Sequence, residues 1–169
     1  MRRKLILHDL SEEEAALYLP EESDNTTLFT SQLSTHNCIG CFDCWVKTPG
    51  ICVIKDEVGS FCKMIPDNDV LIVVSKCVYG GLSPEVKVVL DRSIGICLPF
   101  FRVVNKETHH YPRYKNMPEL VYHFYGLDIT EREKGIARKL TAANALNLYA
   151  AKYETFFHAS VSKVKEALS

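Results

Sequence analysis

Apolar residues along this chain fall into short blocks separated by polar turns, and the blocks alternate between a strand period and a helix period. Leu5-Ile6-Leu7 is a compact apolar run between Arg2-Arg3-Lys4 and Asp9, which predicts a short buried strand. Ser11 followed by Glu14 forms a capping-box pair, so a helix is expected to begin at Ser11. Residues 26–32 are rich in threonine and predict a second strand. Residues 56–65 place Val58, Phe61, Cys62 and Ile65 on one helical face, with Pro66-Asp67-Asn68-Asp69 as the stop. Val70-Leu71-Ile72-Val73-Val74 is continuously apolar and β-branched, the pattern of a strand covered on both faces. Gly80-Gly81 breaks the chain after it, and Ser83-Pro84 supplies a cap and a first helical residue for a helix running to about Gly95.

Residues 98–118 mix aromatics, His109-His110 and prolines without a period, which reads as a long surface loop of the kind that carries function. A strand is expected from Leu120 to Tyr125. Thr130 then caps a long helix with Ile136, Leu140, Ala143, Leu146 and Ala150 on its apolar face, and a last strand at residues 153–158 precedes a helix at 161–168. Strand and helix alternate along the whole chain. That order predicts one three-layer α/β domain over residues 1–169, with ligands gathering beyond the carboxyl ends of the strands.

Composition narrows the class without changing the fold. A chain of 169 residues that is 47% hydrophobic can build one full core. The 20 Lys and Arg against 21 Asp and Glu give a net charge of -1, so no global attraction to nucleic acid or to acidic membranes is expected. The basic start has too short an apolar run for a signal-peptide core, which makes the expectation cytoplasmic. In that reducing compartment seven cysteines do not read as a disulfide framework.

Their placement carries the chemistry. Cys38, Cys41, Cys44 and Cys52 are spaced C-x2-C-x2-C-x7-C inside a cysteine-rich loop at residues 36–54, with Gly40 and Gly50 to let the backbone wrap. Four readings stand side by side: an iron-sulfur cluster on four thiolates, a four-thiolate zinc site, a reversible C-x-x-C disulfide, or thiols without a cluster. Cys62 reads as a small buried residue, and Trp45, the only tryptophan, as a cover for the centre or a core anchor.

The cysteine run, with Gly50-x-Cys52 and Lys55-Asp56-Glu57, precedes the block Ser75-Lys76-Cys77-Val78-Tyr79-Gly80-Gly81-Leu82-Ser83-Pro84-x2-Lys87-x3-Asp91-Arg92. Together they resemble the flavodoxin-like NAD(P)H-dependent FMN reductases, and within these the iron-sulfur flavoprotein branch. The resemblance covers roughly residues 36–150. It implies a flavodoxin-like fold with a five-stranded parallel sheet in the order 2-1-3-4-5, and an FMN-dependent oxidoreductase or electron-transfer flavoprotein. It further implies FMN against Ser75, Lys76, Cys77, Val78, Tyr79, Gly80 and Gly81, with Trp45 available to stack, and a [4Fe-4S] cluster on the four cysteines. NAD(P)H or a small redox protein such as ferredoxin is the implied electron partner, and a homo-oligomer built on Phe100-Phe101, Tyr111 and Tyr114 the implied assembly. Lys76 and Val78 stand where such proteins carry proline and tyrosine. Asp9-Leu10-Ser11-Glu12-Glu13-Glu14 stands where they carry a serine- and glycine-rich phosphate loop, and its carboxylates repel a phosphate dianion. The phosphate is then held by another group, such as Lys76, Arg113 or a neighbouring subunit. Otherwise the chain is a degenerate flavodoxin-fold protein without stable FMN, acting as a thiol-redox or metal-binding module. No catalytic residue is assigned.

Overall fold

The computed structural model describes residues 1–168. Five strands, β1 (Lys4–His8), β2 (Thr26–Thr30), β3 (Val70–Lys76), β6 (Glu119–Tyr125) and β7 (Tyr153–His158), form one parallel sheet in the spatial order β2-β1-β3-β6-β7. Counted among themselves these strands run 2-1-3-4-5, the expected order. Register is continuous, with Ile6 opposite Leu28 on one side and Ile72 on the other.

Both faces of the sheet are covered, which explains why its central strands are apolar at every position. Leu5, Leu7, Leu71, Val73, Leu120 and Phe124 face one core, shared with helices α3 (Phe61–Met64), α4 (Pro84–Asp91) and α5 (Glu131–Asn147). Ile6, Val70, Ile72 and Val74 face a second core with Leu10 and with Val161 and Val164 of α6 (Val161–Leu168); α1 (Glu12–Tyr18) packs on α6 on that same side. A capping box forms at Ser11 with Glu14, as the spacing predicts, and Thr130 caps α5 as expected, in a second box with Glu133. No described helix is long and apolar enough to cross a membrane.

Four expectations are corrected. The 98–118 region is not a loop: β4 (Cys97–Val104) and β5 (Glu107–Pro112) form an antiparallel hairpin closed by Asn105 and Lys106, both at positive φ (51° and 69°). Such a two-residue turn matches strand twist, but Asn-Lys is a weaker sequence signal for it than Asn-Gly. The helix predicted over 56–65 is broken into a 3-10 turn at Glu57–Ser60, the single turn α3, and a second 3-10 turn at Ile65–Asp67. Its face is still buried as predicted, but Gly59 lies so close to Ile54 that an added Cβ would sit 2.9 Å from that carbonyl oxygen, and Pro66 removes an amide. Helix α4 stops at Asp91 rather than near Gly95, and a 3-10 turn at Ile94–Ile96 follows, where Gly95 packs on the backbone of Gly50. Finally, the buried line of α5 is Ala137, Thr141 and Ala145, one position round from that predicted, and Ile136 is 43% exposed. Small residues let the helix approach β7 closely enough for the Thr141 and Thr155 hydroxyls to meet at 2.7 Å.

Candidate functional site

The cysteine-rich loop leaves β2 and is wound tightly by its own backbone. Gly40 and Phe42 take positive φ, and the single-turn helix α2 (Asp43–Val46) follows. The Gly50 amide donates to the Cys44 carbonyl at 2.9 Å, closing the loop that brings Cys52 back beside Cys44. Gly50 itself is at φ 79°, and a side chain there would overlap the Tyr114 hydroxyl. The wrap needs glycine at that point.

The result is a cavity of about 300 Å³ lined by Cys38, Cys41, Cys44 and Cys52 together with Ile39, Ile54, Arg92 and Ile94. All four cysteines of the motif line this one space, and Cys62, Cys77 and Cys97 do not. The thiols feel one another. Burial first, and then the charges of Cys52, Cys38 and Cys41, push the Cys44 thiol up from its ordinary value. Among the described residues no group of three or more His, Cys, Asp or Glu side chains is arranged to hold a single metal ion. The thiols ring a cavity rather than meeting at a point.

Arg92 closes the cavity from the core side, a role the sequence did not reveal. Its side chain is 0% exposed, and its guanidinium bridges Asp56, the His36 carbonyl, the Ile54 carbonyl and, at 3.4 Å, the Cys52 sulfur. The hydrogen bond from Arg92, ahead of all other causes, holds the Asp56 carboxyl down at about 2. Arg92 thereby ties the two flanks of the loop to α4, and its neighbour Asp91 pairs with Lys87. On the outer side Trp45 donates its indole N–H to the Ile94 carbonyl at 3.2 Å. Its ring stacks on Phe42 (centroids 4.9 Å apart) and tilts against His110 (4.8 Å).

The two histidines of the hairpin are held, not freely solvated. His109 Nδ1 lies 2.9 Å from Asn147 Oδ1, and His110 Nδ1 lies 2.8 Å from the Leu98 carbonyl. Cys62 and Cys97 are buried thiols, pushed by burial to about 12 and about 11 and each facing a backbone carbonyl; as nucleophiles they are inert near neutrality. Arg113 is spent on the Gly95 and Cys97 carbonyls.

The β3–α4 loop, residues 76–83, lies at the opposite end of α4 from the cysteine cavity. An eight-residue helix spans about 12 Å, so Trp45 and the loop that it was expected to share a ligand with are on different ends of the same element. Val78, Tyr79, Gly80 and Gly81 form a tight turn with Tyr79 and Gly80 at positive φ, and Tyr79 is 87% exposed. Four amides of this loop are committed: Lys76 donates to Asp9, Cys77 to the Tyr125 carbonyl, and Val78 and Gly81 to each other. Gly80 faces the Cys77 thiol, which partial burial raises from its ordinary value and this amide lowers.

Beside this loop lies the point between β1 and β3 where the strand order reverses, the seat of FMN in folds of this topology. Here Asp9 fills it. Its carboxylate, in a residue only 7% exposed, accepts from the Lys76 amide (2.8 Å) and the Tyr125 hydroxyl (2.9 Å), with the Ser75 hydroxyl at 3.5 Å. Burial and then this carboxylate push the Tyr125 hydroxyl far up. In the first turn of α1 the Ser11 hydroxyl caps the Glu14 amide and the Glu14 carboxylate caps the Ser11 amide. The residues at this point do not fit an FMN phosphate.

No family model matches the chain. A curated relative, an iron-sulfur flavoprotein of Methanocaldococcus jannaschii, is 39% identical over 56 residues, a stretch that spans 33% of this chain and 28% of that protein. Among solved structures, an azoreductase from Bacillus anthracis superposes with a TM-score of 0.60 at 8% identity, covering 99% of this chain and 91% of its own. An NAD(P)H:quinone oxidoreductase from Methanothermobacter marburgensis gives 0.59 at 11% identity, covering 97% and 93%. General stress protein 14 from Treponema denticola, in complex with FMN, gives 0.56 at 12% identity, covering 98% and 91%. With the 2-1-3-4-5 parallel sheet and near-complete coverage of both chains, these matches identify the fold as the flavodoxin-like fold of the NAD(P)H-dependent azo- and quinone reductases.

Proposed function

We propose that this chain is an oxidoreductase of the flavodoxin-fold flavoprotein class whose own electron-carrying centre is a [4Fe-4S] cluster held by Cys38, Cys41, Cys44 and Cys52. One observation carries the reading: the four thiols of the motif, and none of the other three, line a single cavity of about 300 Å³. A lone zinc needs its four sulfurs at about 2.3 Å from one point, whereas a cluster takes one thiolate at each of four separated corners. The ring of thiols suits the second. A bound cluster supplies one-electron transfer at a potential set by charge, hydrogen bonds to sulfur and solvent access. Arg92 would donate a hydrogen bond to the Cys52 sulfur and place a buried positive charge beside the thiolates. Ile54 and Ile94 would keep water from the inner wall, and Phe42 with Trp45 would cover the outer side.

FMN as the organic cofactor is supported by the comparisons, since the Treponema structure holds FMN and the archaeal relative is a flavoprotein. Reduced nicotinamide or a ferredoxin-like protein is the electron partner that this class suggests. Exposed Phe100, Phe101 and Tyr111 on the hairpin support a homo-oligomer. No step is assigned to FMN at the β1/β3 switch point, because Asp9 holds it. That same observation favours a second reading, a flavin-free protein in which the thiol cavity works alone as a redox or metal-binding module.

The test is the visible spectrum of protein purified without oxygen, with iron and acid-labile sulfide assayed on the same sample. About four iron and four sulfide per chain, lost on replacing any one of the four cysteines by serine, is the expected result. Zinc in their place, or iron-free protein with an unchanged thiol count, overturns the cluster.

A further inference from the structure

We propose that Asp9 is a built-in anion at the β1/β3 switch point, so that the chain excludes the flavin phosphate there and holds FMN no more tightly than riboflavin. The inference rests on the flavin-linked reading above but stands or falls on a different measurement.

The donors around Asp9 are those that an anion site offers. One backbone N–H at the end of β3 and one tyrosine hydroxyl at the end of β6 converge on its two carboxylate oxygens, with the Ser75 hydroxyl, which also reaches the Lys76 carbonyl at 3.1 Å, at 3.5 Å. They come from two different strands. The Asp9 backbone is pinned as well, its carbonyl accepting from Gln32 Nε2 at 2.9 Å, so the side chain does not owe its position to a flexible turn. Ser75 passes the constraint onward, its hydroxyl receiving the Ser83 amide at 2.9 Å where α4 begins. A buried carboxylate satisfied in this way leaves neither donors nor room for a second anion.

Charge acts in the same direction. A phosphate dianion arriving at the switch point meets Asp9 inside and Glu12, Glu13 and Glu14 in the next turn, and the Ser11 and Glu14 amides are already capped within the chain. Lys76, exposed at the end of β3, is the only cation in the β3–α4 loop. Cys77, Val78 and Gly81 of that loop already spend their amides within the chain, which leaves a flavin edge fewer donors there.

The experiment compares FMN with riboflavin by quenching of flavin fluorescence on the full-length chain, with inorganic phosphate as competitor. Equal affinity within about threefold and no effect of phosphate is the expected result, and absence of measurable binding by either flavin supports the exclusion equally. FMN binding about tenfold or more tighter than riboflavin, relieved by phosphate, overturns it. Asp9→Ser removes the carboxylate and leaves a hydroxyl and space; Asp9→Asn keeps the volume and removes the charge. In whichever variant retains the wild-type circular dichroism, FMN should gain about tenfold over riboflavin. An unchanged ratio in a folded variant overturns the assignment to Asp9. Iron and sulfide content reports on the cysteine centre separately, so loss of one reading does not carry the other with it.

Discussion

Arg92 shows how much structure one side chain can organise. Its guanidinium is fully buried, yet it makes four contacts on and just beyond the cysteine loop: two backbone carbonyls and the Cys52 sulfur within it and the Asp56 carboxylate directly after it. A planar fork of donors suits that spread of acceptors, and an ammonium does not. The Arg92 Nε has no partner among the described residues, so the cost of burying the charge is met mainly through Asp56. Replacing Arg92 by methionine leaves Asp56 without its counter-ion and frees the loop from α4. The expected loss is about 3 kcal/mol in urea unfolding. Arg92→Lys should recover less than half of it, and a double-mutant cycle with Asp56→Asn should show strong coupling. Independent effects of the two substitutions would remove Arg92 from this role. The signal for it in the sequence was slight: Asp91-Arg92 lay inside a helix expected to run to about Gly95, and nothing in its spacing told that the second residue turned inward while the first paired with Lys87.

At the scale of elements, two glycines near one another separate conformational need from chance. Gly80 lies at φ 81° in the β3–α4 loop, and a Cβ there would sit 2.7 Å from the Glu133 carbonyl oxygen and 2.8 Å from Ile136 Cβ. Gly135, inside α5, has nothing within 4 Å of the same added atom. Gly80→Ala should therefore cost about 2 kcal/mol or more, through both strain and the forced retreat of α5. Gly135→Ala should stabilise by roughly 0.5–1 kcal/mol. Thermal unfolding of the two variants would show opposite shifts, and shifts of the same sign would contradict this packing of loop on helix. Most elements were legible because their signals were redundant. The β3 strand was continuously apolar, and the Ser11 capping box and the Thr130 cap marked the first turns of α1 and α5. The β4–β5 hairpin was not, since its exposed Phe100, Phe101 and Val103 lack a buried face to set an alternation. The buried line of α5 was misread for a related reason: alanine and threonine, not the larger Ile136, face β7.

For the whole molecule, the parallel sheet follows from the sequence because both-face burial leaves no other arrangement for runs such as Val70-Leu71-Ile72-Val73-Val74. The relation between its two functional regions does not follow. The cysteine cavity and the β1/β3 switch point sit at opposite ends of α4, and the anion in the second is a single aspartate whose partners come from β3 and β6, far away along the chain. Buried titratable groups distributed through the fold also give the molecule a pH response. His123 is 3% exposed, its Nδ1 lies 2.9 Å from His158 Nε2, and burial followed by His158 lowers it to about 4. Burial lowers His158 and His8 as well, and His8 Nδ1 has no partner among the described residues. These imidazoles are neutral in the fold and take up protons on unfolding, so the unfolded chain binds more protons as the pH falls through 6.5 toward about 4. Stability is complete above that window and lost within it. Asp56 adds a second, lower window: its carboxylate stabilises the fold above 3.8, and that contribution disappears as the pH falls to about 2. Urea midpoints measured from pH 8 downward should thus begin to fall near pH 6.5, well above the carboxylate range. His123→Phe should flatten the upper part of the curve while leaving the fall below pH 4 in place. A wild-type curve level down to pH 4 would mean that the histidine pair is solvated and charged in the folded protein.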